Sequence, residues 1–245
     1  MFSTPTSGNT LCSRFFFSFF YSRFFLNFMS ADNIHPIQSR LVGRQKKEEA
    51  LGQKGRVFWL CGLSGSGKST LAIDLEERLL QKSVFCIVLD GDNLRCGLNQ
   101  DLGFSDSDRK ENIRRTAELA KILCQSGVVV VVSCITPFQS LRDLAKQCIG
   151  ADDYHEVYVK ASFSECKKRD VKGLYAKAEA SSVPSFTGST SKFEEPSTPN
   201  LIIETEGQEL TDSSEKLYSF VLENLFLSRF HYAKLQFNSL AATRV

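Results

Sequence analysis

The nine residues Gly62-Leu63-Ser64-Gly65-Ser66-Gly67-Lys68-Ser69-Thr70 constrain this chain more than any other stretch. They fit the pattern G-x-x-x-x-G-K-[ST], and their surroundings fit too. Val57 to Cys61 is a short apolar run that reads as a buried strand, and Leu71, Ala72, Leu75, Leu79 and Leu80 recur at helical spacing afterwards. A strand, a glycine turn and a helix start in that order form a cradle for phosphate. Glycine at these positions lets backbone N–H groups close on an anion where a Cβ would obstruct them. Lys68 is then expected to reach the β- and γ-phosphates, and the Ser69 hydroxyl to sit on Mg²⁺. The whole loop from Gly62 to Thr70 is therefore expected to hold a nucleoside triphosphate.

The remaining chain repeats strand and helix. Val84 to Leu89 is a continuous apolar run, read as a strand buried on both faces. Ser105-Asp106-Ser107-Asp108 resembles a capping box with Asp at its fourth position, and Ile113, Ala117, Ala120 and Cys124 continue an apolar helical stripe to about Gln125. Strands are predicted at 128–132, 156–159 and 201–203, and helices at 140–149 and 213–227. Such alternation predicts an α/β fold: a parallel sheet of about five strands with helices on both faces. Ligands then bind beyond the carboxyl ends of the strands. That rule selects the Gly62 loop, Asp90-Gly91-Asp92-Asn93, and Ser133 to Phe138.

The flanks read differently. Residues 1–28 hold nine of the 20 phenylalanines and no acidic residue. The apolar run from Phe15 to Phe28 is too short and too interrupted to span a bilayer. A presequence-like segment and a non-native extension ahead of Met29 both stay open, and Met29-Ser30-Ala31-Asp32 favours the second. Residues 29–54 form a lead-in arm with a helical patch ending near Gly52, residues 55–227 the α/β domain, and 228–245 a tail with no assigned role. Within the domain, residues 170–200 are rich in Ser, Thr, Lys and Pro and read as a lid. A net charge of +2 gives no reason to expect a nucleic-acid partner. None of the eight cysteines forms C-x-x-C, which fits a reducing, cytoplasmic setting better than a disulfide framework or a zinc site.

Five blocks in one order carry a resemblance to the adenylylsulfate kinase family. They are Gly62 to Thr70, Leu89 to Arg95, Asp101 to Ser105, Arg109 to Arg115, and Arg169 to Tyr175; Phe186-Thr187-Gly188 and Glu195-Pro196 extend the match. The resemblance runs from about Ile34 to Leu225 and implies a P-loop kinase-like fold. The implied reaction is ATP-dependent phosphorylation of the 3′-hydroxyl of adenosine 5′-phosphosulfate, a step of sulfate assimilation, with ATP and Mg²⁺ as cofactors. A homodimer is left open, and no nucleic-acid or membrane partner is implied. By this resemblance Asp92 orients or deprotonates the 3′-hydroxyl, with Asp90 as the alternative or acting on Mg²⁺ through water. Asn93, Arg95, Arg109, Asn112 and Lys172 lie near the nucleotide substrate, and Phe104 and Phe186 resemble the family's aromatic pair around adenine. Arg169 lies near ATP.

Three departures from the family pattern stand out. Cys134-Ile135-Thr136-Pro137 replaces a Phe-Ile-Ser-Pro run, so a phosphoenzyme would require Thr136; direct transfer is favoured, with Ile135 and Thr136 lining the substrate pocket. Cys96 stands where His or Gln is usual, and the lid stretch Ala180 to Ser185 replaces a Gly- and Lys-containing run. Another P-loop small-molecule kinase and a nucleotide-binding regulatory protein are the alternatives.

Overall fold

The computed structural model describes residues 34–170, 173, 175 and 192–225. Residues up to Leu41 form one unit, whose described part carries a single 3-10 turn at Gln38–Arg40; residues from Val42 onward form the other. The predicted segment 1–28, the tail 228–245, and Lys172 and Phe186 of the lid lie outside the described residues.

The second unit is built on five strands: β1 (Arg56–Cys61), β2 (Cys86–Asp90), β3 (Val129–Ser133), β4 (Tyr154–Lys160) and β5 (Leu201–Glu204). All are parallel, in the order β2-β3-β1-β4-β5. The helices described are α1 (Arg44–Leu51), α2 (Lys68–Gln81), α3 (Gly91–Arg95), α4 (Asp106–Gln125), α5 (Gln139–Ile149), α6 (Phe163–Arg169) and α7 (Leu210–Leu225). None of the described helices is long and apolar enough to cross a membrane.

Alternation along the strands assigns the two faces. Val57, Trp59 and Cys61 of β1 join Val130 and Val132 of β3 in a core with Ile113, Ala117, Ala120 and Cys124 of α4 and Leu141 and Ala145 of α5. The intervening Phe58 and Leu60 pack with Val129 and Val131 against Leu71, Leu75 and Leu79 of α2 and Leu217 and Val221 of α7. Burying each of these Leu, Val or Phe side chains contributes about 1.5–3 kcal/mol, so the central strands are held from both sides. An ion pair from Arg78 to Glu215 ties α2 to α7 at the surface.

One expected burial is corrected. The run from Val84 was read as a strand covered on both faces, but β2 is an edge strand: Ile87 and Val88 are only partly covered and Phe85 is exposed. The fully buried strand is β3, seated between β2 and β1. An apolar run specifies what can be buried, whereas the number of flanking strands depends on the sheet order. Two short helices were also absent from the expectation. The segment after β2, to which no element is assigned from the sequence, is the one-turn helix α3, and α6 follows β4 where no element is predicted.

Asp153, immediately before β4, anchors the lead-in helix. Its Oδ1 accepts from Arg44 Nη2 at 2.8 Å and from Arg56 Nη1 at 2.7 Å, while Arg44 also donates to the Gly55 carbonyl at 2.8 Å. Burial by itself would push the Asp153 carboxyl up; the hydrogen bond and charge of Arg44, with the charge of Arg56, outweigh it and hold the carboxyl below its ordinary value. Its contribution is therefore complete above the ordinary carboxylate range and is lost as pH falls through the lowered value. Asp153→Ala is expected to lower the unfolding free energy by about 2–3 kcal/mol at neutral pH. In denaturant titrations that difference from the parent chain should shrink as the pH is brought below the carboxylate range.

Candidate functional site

All five strands end on the same edge of the sheet, and β1 lies where the order reverses, with β3 on one side and β4 on the other. A crevice at this point is where an open α/β sheet binds ligands. It is present as a cavity of about 740 Å³ lined by residues following each of β1, β2, β3 and β5, together with residues of α4 and the end of α6. Gly65, Lys68, Ser69, Thr70, Asp90, Asp92, Arg95, Phe104, Arg109, Asn112, Ile135, Thr136 and Arg169, all expected from the sequence, face it together. Asn93, exposed on α3, does not line it, and neither do Gly62, Leu63 and Ser66 of the expected loop.

The glycine loop has the geometry that its sequence requires. Gly62 and Gly67 have φ of 150° and 101°, and a Cβ at Gly62 would lie 2.3 Å from the Val159 carbonyl oxygen. The loop is also held from outside. The Ser64 carbonyl accepts from the Tyr175 hydroxyl at 2.8 Å, and the Ser66 carbonyl accepts from the Thr205 hydroxyl at 2.9 Å. A trans peptide points its N–H opposite to its C=O, so the N–H groups of Gly65 and Gly67 face away from those partners. Arg169 braces the same corner, donating to the Thr205 carbonyl at 2.8 Å and the Thr205 hydroxyl at 3.0 Å. Lys68 opens α2 and is buried, its Nζ donating to the Gly62 and Leu63 carbonyls at 3.0 and 2.7 Å. An ammonium carries three donors, so these carbonyls fix its position at the mouth of the loop.

Asp90 joins the loop to the next strand. Its Oδ2 accepts from the Ser69 hydroxyl at 2.8 Å, and its Oδ1 accepts from the Asp92 backbone N–H at 3.0 Å. The second bond is the N-cap of α3. Asp92 thus stands in the first turn of a helix, exposed toward the cavity, and not on a loop. Ser133 Oγ, at the end of β3, lies 3.2 Å from Ser69 Oγ. Two hydroxyls and a carboxylate in contact form a hard-oxygen set that fits Mg²⁺, which commonly takes one or two protein oxygens and completes its shell with phosphate and water. Among the described residues no group of three or more His, Cys, Asp or Glu could hold a metal ion.

Opposite the loop, α4 and the turn before it present positive charge and an aromatic face. Ser105 caps α4 as its sequence predicts, its Oγ accepting from the Asp108 N–H at 3.2 Å and donating to the Asp108 carboxylate at 2.7 Å. Arg109 in the first turn donates to the Phe104 carbonyl at 3.0 Å, and Arg95 Cζ lies 4.4 Å from the Phe104 ring centroid. Phe104 is 59% exposed, which leaves its ring available for stacking. Burial lowers the Arg109 pKa, and the neighbouring Arg95 charge lowers it further. A guanidinium remains charged regardless, so two cations sharing this corner favour an anion between or beside them. Asn112 is buried one turn further on, its Oδ1 accepting from Asn99 at 2.9 Å.

Thr136 is 2% exposed and takes φ of 44°, unusual for a residue with a branched side chain. Its hydroxyl accepts from the Trp59 indole N–H at 2.9 Å. Three cavity residues carried no signal in the sequence, Thr205, Gln208 and Leu210, while Ser133 and Tyr175 fall in stretches the sequence singles out without giving either a role. Tyr175 and Thr205 act on the loop from more than 100 residues away in the chain, so nothing local shows that they hold it. Tyr175→Phe keeps the ring and removes the donor to Ser64, a loss of about 1 kcal/mol. Steady-state kinetics should show KM for ATP rising about three- to tenfold, with KM for the second substrate within twofold of the parent.

The sequence profile described as Adenylylsulphate kinase matches residues 54–204. An adenylyl-sulfate kinase of Phocaeicola vulgatus is 47% identical over 194 residues, covering 79% of this chain and 95% of that protein. One of Bacillus licheniformis is 44% identical over 180 residues, covering 74% of this chain and 91% of its own. Among solved structures, the Mycobacterium tuberculosis APS kinase CysC in complex with AMPPNP and APS matches with a TM-score of 0.66 at 41% identity, over 69% of this chain and 98% of that one.

Proposed function

The chain belongs to the adenylylsulfate kinase family and is an adenylyl-sulfate kinase, a phosphotransferase; we propose that its cavity carries the γ-phosphoryl group of ATP directly to the 3′-hydroxyl of adenosine 5′-phosphosulfate. The observation that carries this reading is the Asp90 carboxylate, bonded on one side to Ser69 of the phosphate loop and on the other to the helix that presents Asp92. Donor and acceptor groups are thereby set on one rigid strand end.

In this reading the N–H groups of the Gly62–Thr70 loop and the Lys68 ammonium cradle the β- and γ-phosphates. Ser69 and Asp90 would hold Mg²⁺, whose charge offsets that of the phosphate oxygens when it is bound. Asp92 accepts a hydrogen bond from the ribose 3′-hydroxyl and takes its proton as the bond to phosphorus forms. Arg95 and Arg109 pair with the phosphosulfate oxygens, and Phe104 stacks on the adenine of the acceptor. Ile135 and Thr136 wall that side, and Arg169 and Thr205 hold the loop under ATP. The Thr136 hydroxyl is buried and engaged by Trp59, which supports a role in the wall over one as a phosphate carrier. The seven free thiols among the described residues suit a reducing, cytoplasmic setting.

Incubation with Mg·ATP and adenylyl sulfate, with both products identified by mass, tests the assignment. Equal amounts of ADP and 3′-phosphoadenylyl sulfate are expected. Asp92→Asn should lower kcat about 10²–10⁴-fold while ATP still binds; near-normal turnover by this variant would remove Asp92 from the reaction. ATP binding with no phosphoryl transfer by the parent chain would make it a binding protein instead.

A further inference from the structure

The wall formed by Ile135, Thr136 and Pro137 is held by groups that do not themselves line the cavity. A residue with a β-branched side chain at φ of 44° costs energy and persists where its surroundings over-determine it. Here three separate elements do so. From β1, Trp59 donates to the Thr136 hydroxyl at 2.9 Å. From α5, Arg142 donates through Nη1 to the Thr136 carbonyl at 3.0 Å and through Nη2 to Gln139 Oε1 at 2.9 Å. From the segment leading into β5, Glu194 makes a paired contact. Its N–H donates to the Pro137 carbonyl at 2.8 Å, and its Oε2 accepts from the Gln139 N–H at 2.8 Å.

The second Glu194 bond caps α5, whose own N-cap residue, Phe138, supplies no side-chain acceptor. Arg142 is fully buried, a placement that is costly unless the charge is compensated. Glu156 Oε1 stands 3.7 Å from Arg142 Nε, and the Tyr154 hydroxyl donates to Glu156 Oε2 at 3.2 Å. A buried ion pair is a poor source of stability, and replacement by apolar side chains is often neutral or better. Its geometry here has a different product: the carbonyl of the strained residue is fixed from beneath. The wall is in turn joined to the phosphate loop, since Gly62 N–H donates to the Ile135 carbonyl at 3.2 Å.

We propose that Glu194, Arg142 and Trp59 are positioning residues for the acceptor nucleotide, holding the Ile135–Pro137 turn in the conformation that seats adenylyl sulfate. The inference rests on reading that wall as the acceptor side. None of the three lines the cavity, so each acts through Thr136, Pro137 or Gln139. Glu194 gives the cleanest test because Gln retains the acceptor oxygen and Ala removes it.

Glu194→Ala is expected to raise KM for adenylyl sulfate about tenfold with KM for ATP within twofold, the loss of one hydrogen bond to a helix N-terminus. Glu194→Gln should restore the parent KM to within about twofold. Ile135→Ala, which alters the wall itself, serves as the direct control and should also raise KM for adenylyl sulfate. If Ile135→Ala raises it and Glu194→Ala does not, the positioning inference fails and the wall reading stands. If neither raises it, the wall reading fails and the inference with it. Equal losses in both KM values and kcat, or a Gln variant as impaired as Ala, would reduce Glu194 to general stability and overturn the proposal. Should Glu194→Ala not fold, as judged by circular dichroism, Trp59→Phe is read by the same criteria.

Discussion

The site depends on one carboxylate with two partners. Asp90 ends β2, accepts from the Ser69 hydroxyl in the first turn of α2, and caps the helix that carries Asp92. Phosphoryl transfer through a loose transition state asks little covalent chemistry of a protein and much positioning. On the proposed reading, the hydrogen-bonded bridge from the phosphate loop through Asp90 to α3 supplies that positioning. It also explains why β2, although an edge strand, matters: the strand delivers Asp90 across β3 to the phosphate loop at the end of β1.

Around this bridge the fold stacks supports that come from distant parts of the chain. Tyr175 and Thr205 turn two carbonyls of the glycine loop outward, and Arg169 locks Thr205 in place. On the other side Trp59 and Arg142 hold Thr136 at a backbone angle it would otherwise avoid, and Glu194 holds the Pro137 and Gln139 backbone beside it. The two walls are joined by the Gly62–Ile135 hydrogen bond. On the proposed reading, donor and acceptor subsites are parts of one braced surface.

What the sequence displayed was whatever depends on neighbours in the chain. The phosphate loop, the Ser105 cap and the apolar stripe of α4 each rest on contacts within a few residues, and each stands in the structure as its pattern predicts. Helices α3 and α6 are one or two turns long, too short for a period of 3.6 to show. The edge position of β2 follows from which strands pair with it, and a run of apolar residues looks the same at an edge or a centre. Trp59 reads as one more core residue of β1, because nothing local marks an indole N–H that bonds 77 residues away. Arg142 reads as a polar position of an amphipathic helix, yet it is wholly buried. Most residues that line the cavity were legible; the contacts that hold them in place were not.

The central claim is a single, direct displacement between the Lys68 cradle and a hydroxyl held by Asp92. The stereochemical course at phosphorus tests it most directly, using ATP made chiral at the γ-position with oxygen isotopes and sulfur. One in-line transfer predicts inversion of configuration in the 3′-phosphorylated product. Retention would mean two displacements through a phosphorylated side chain, with Thr136 the first residue to examine, and would contradict the account.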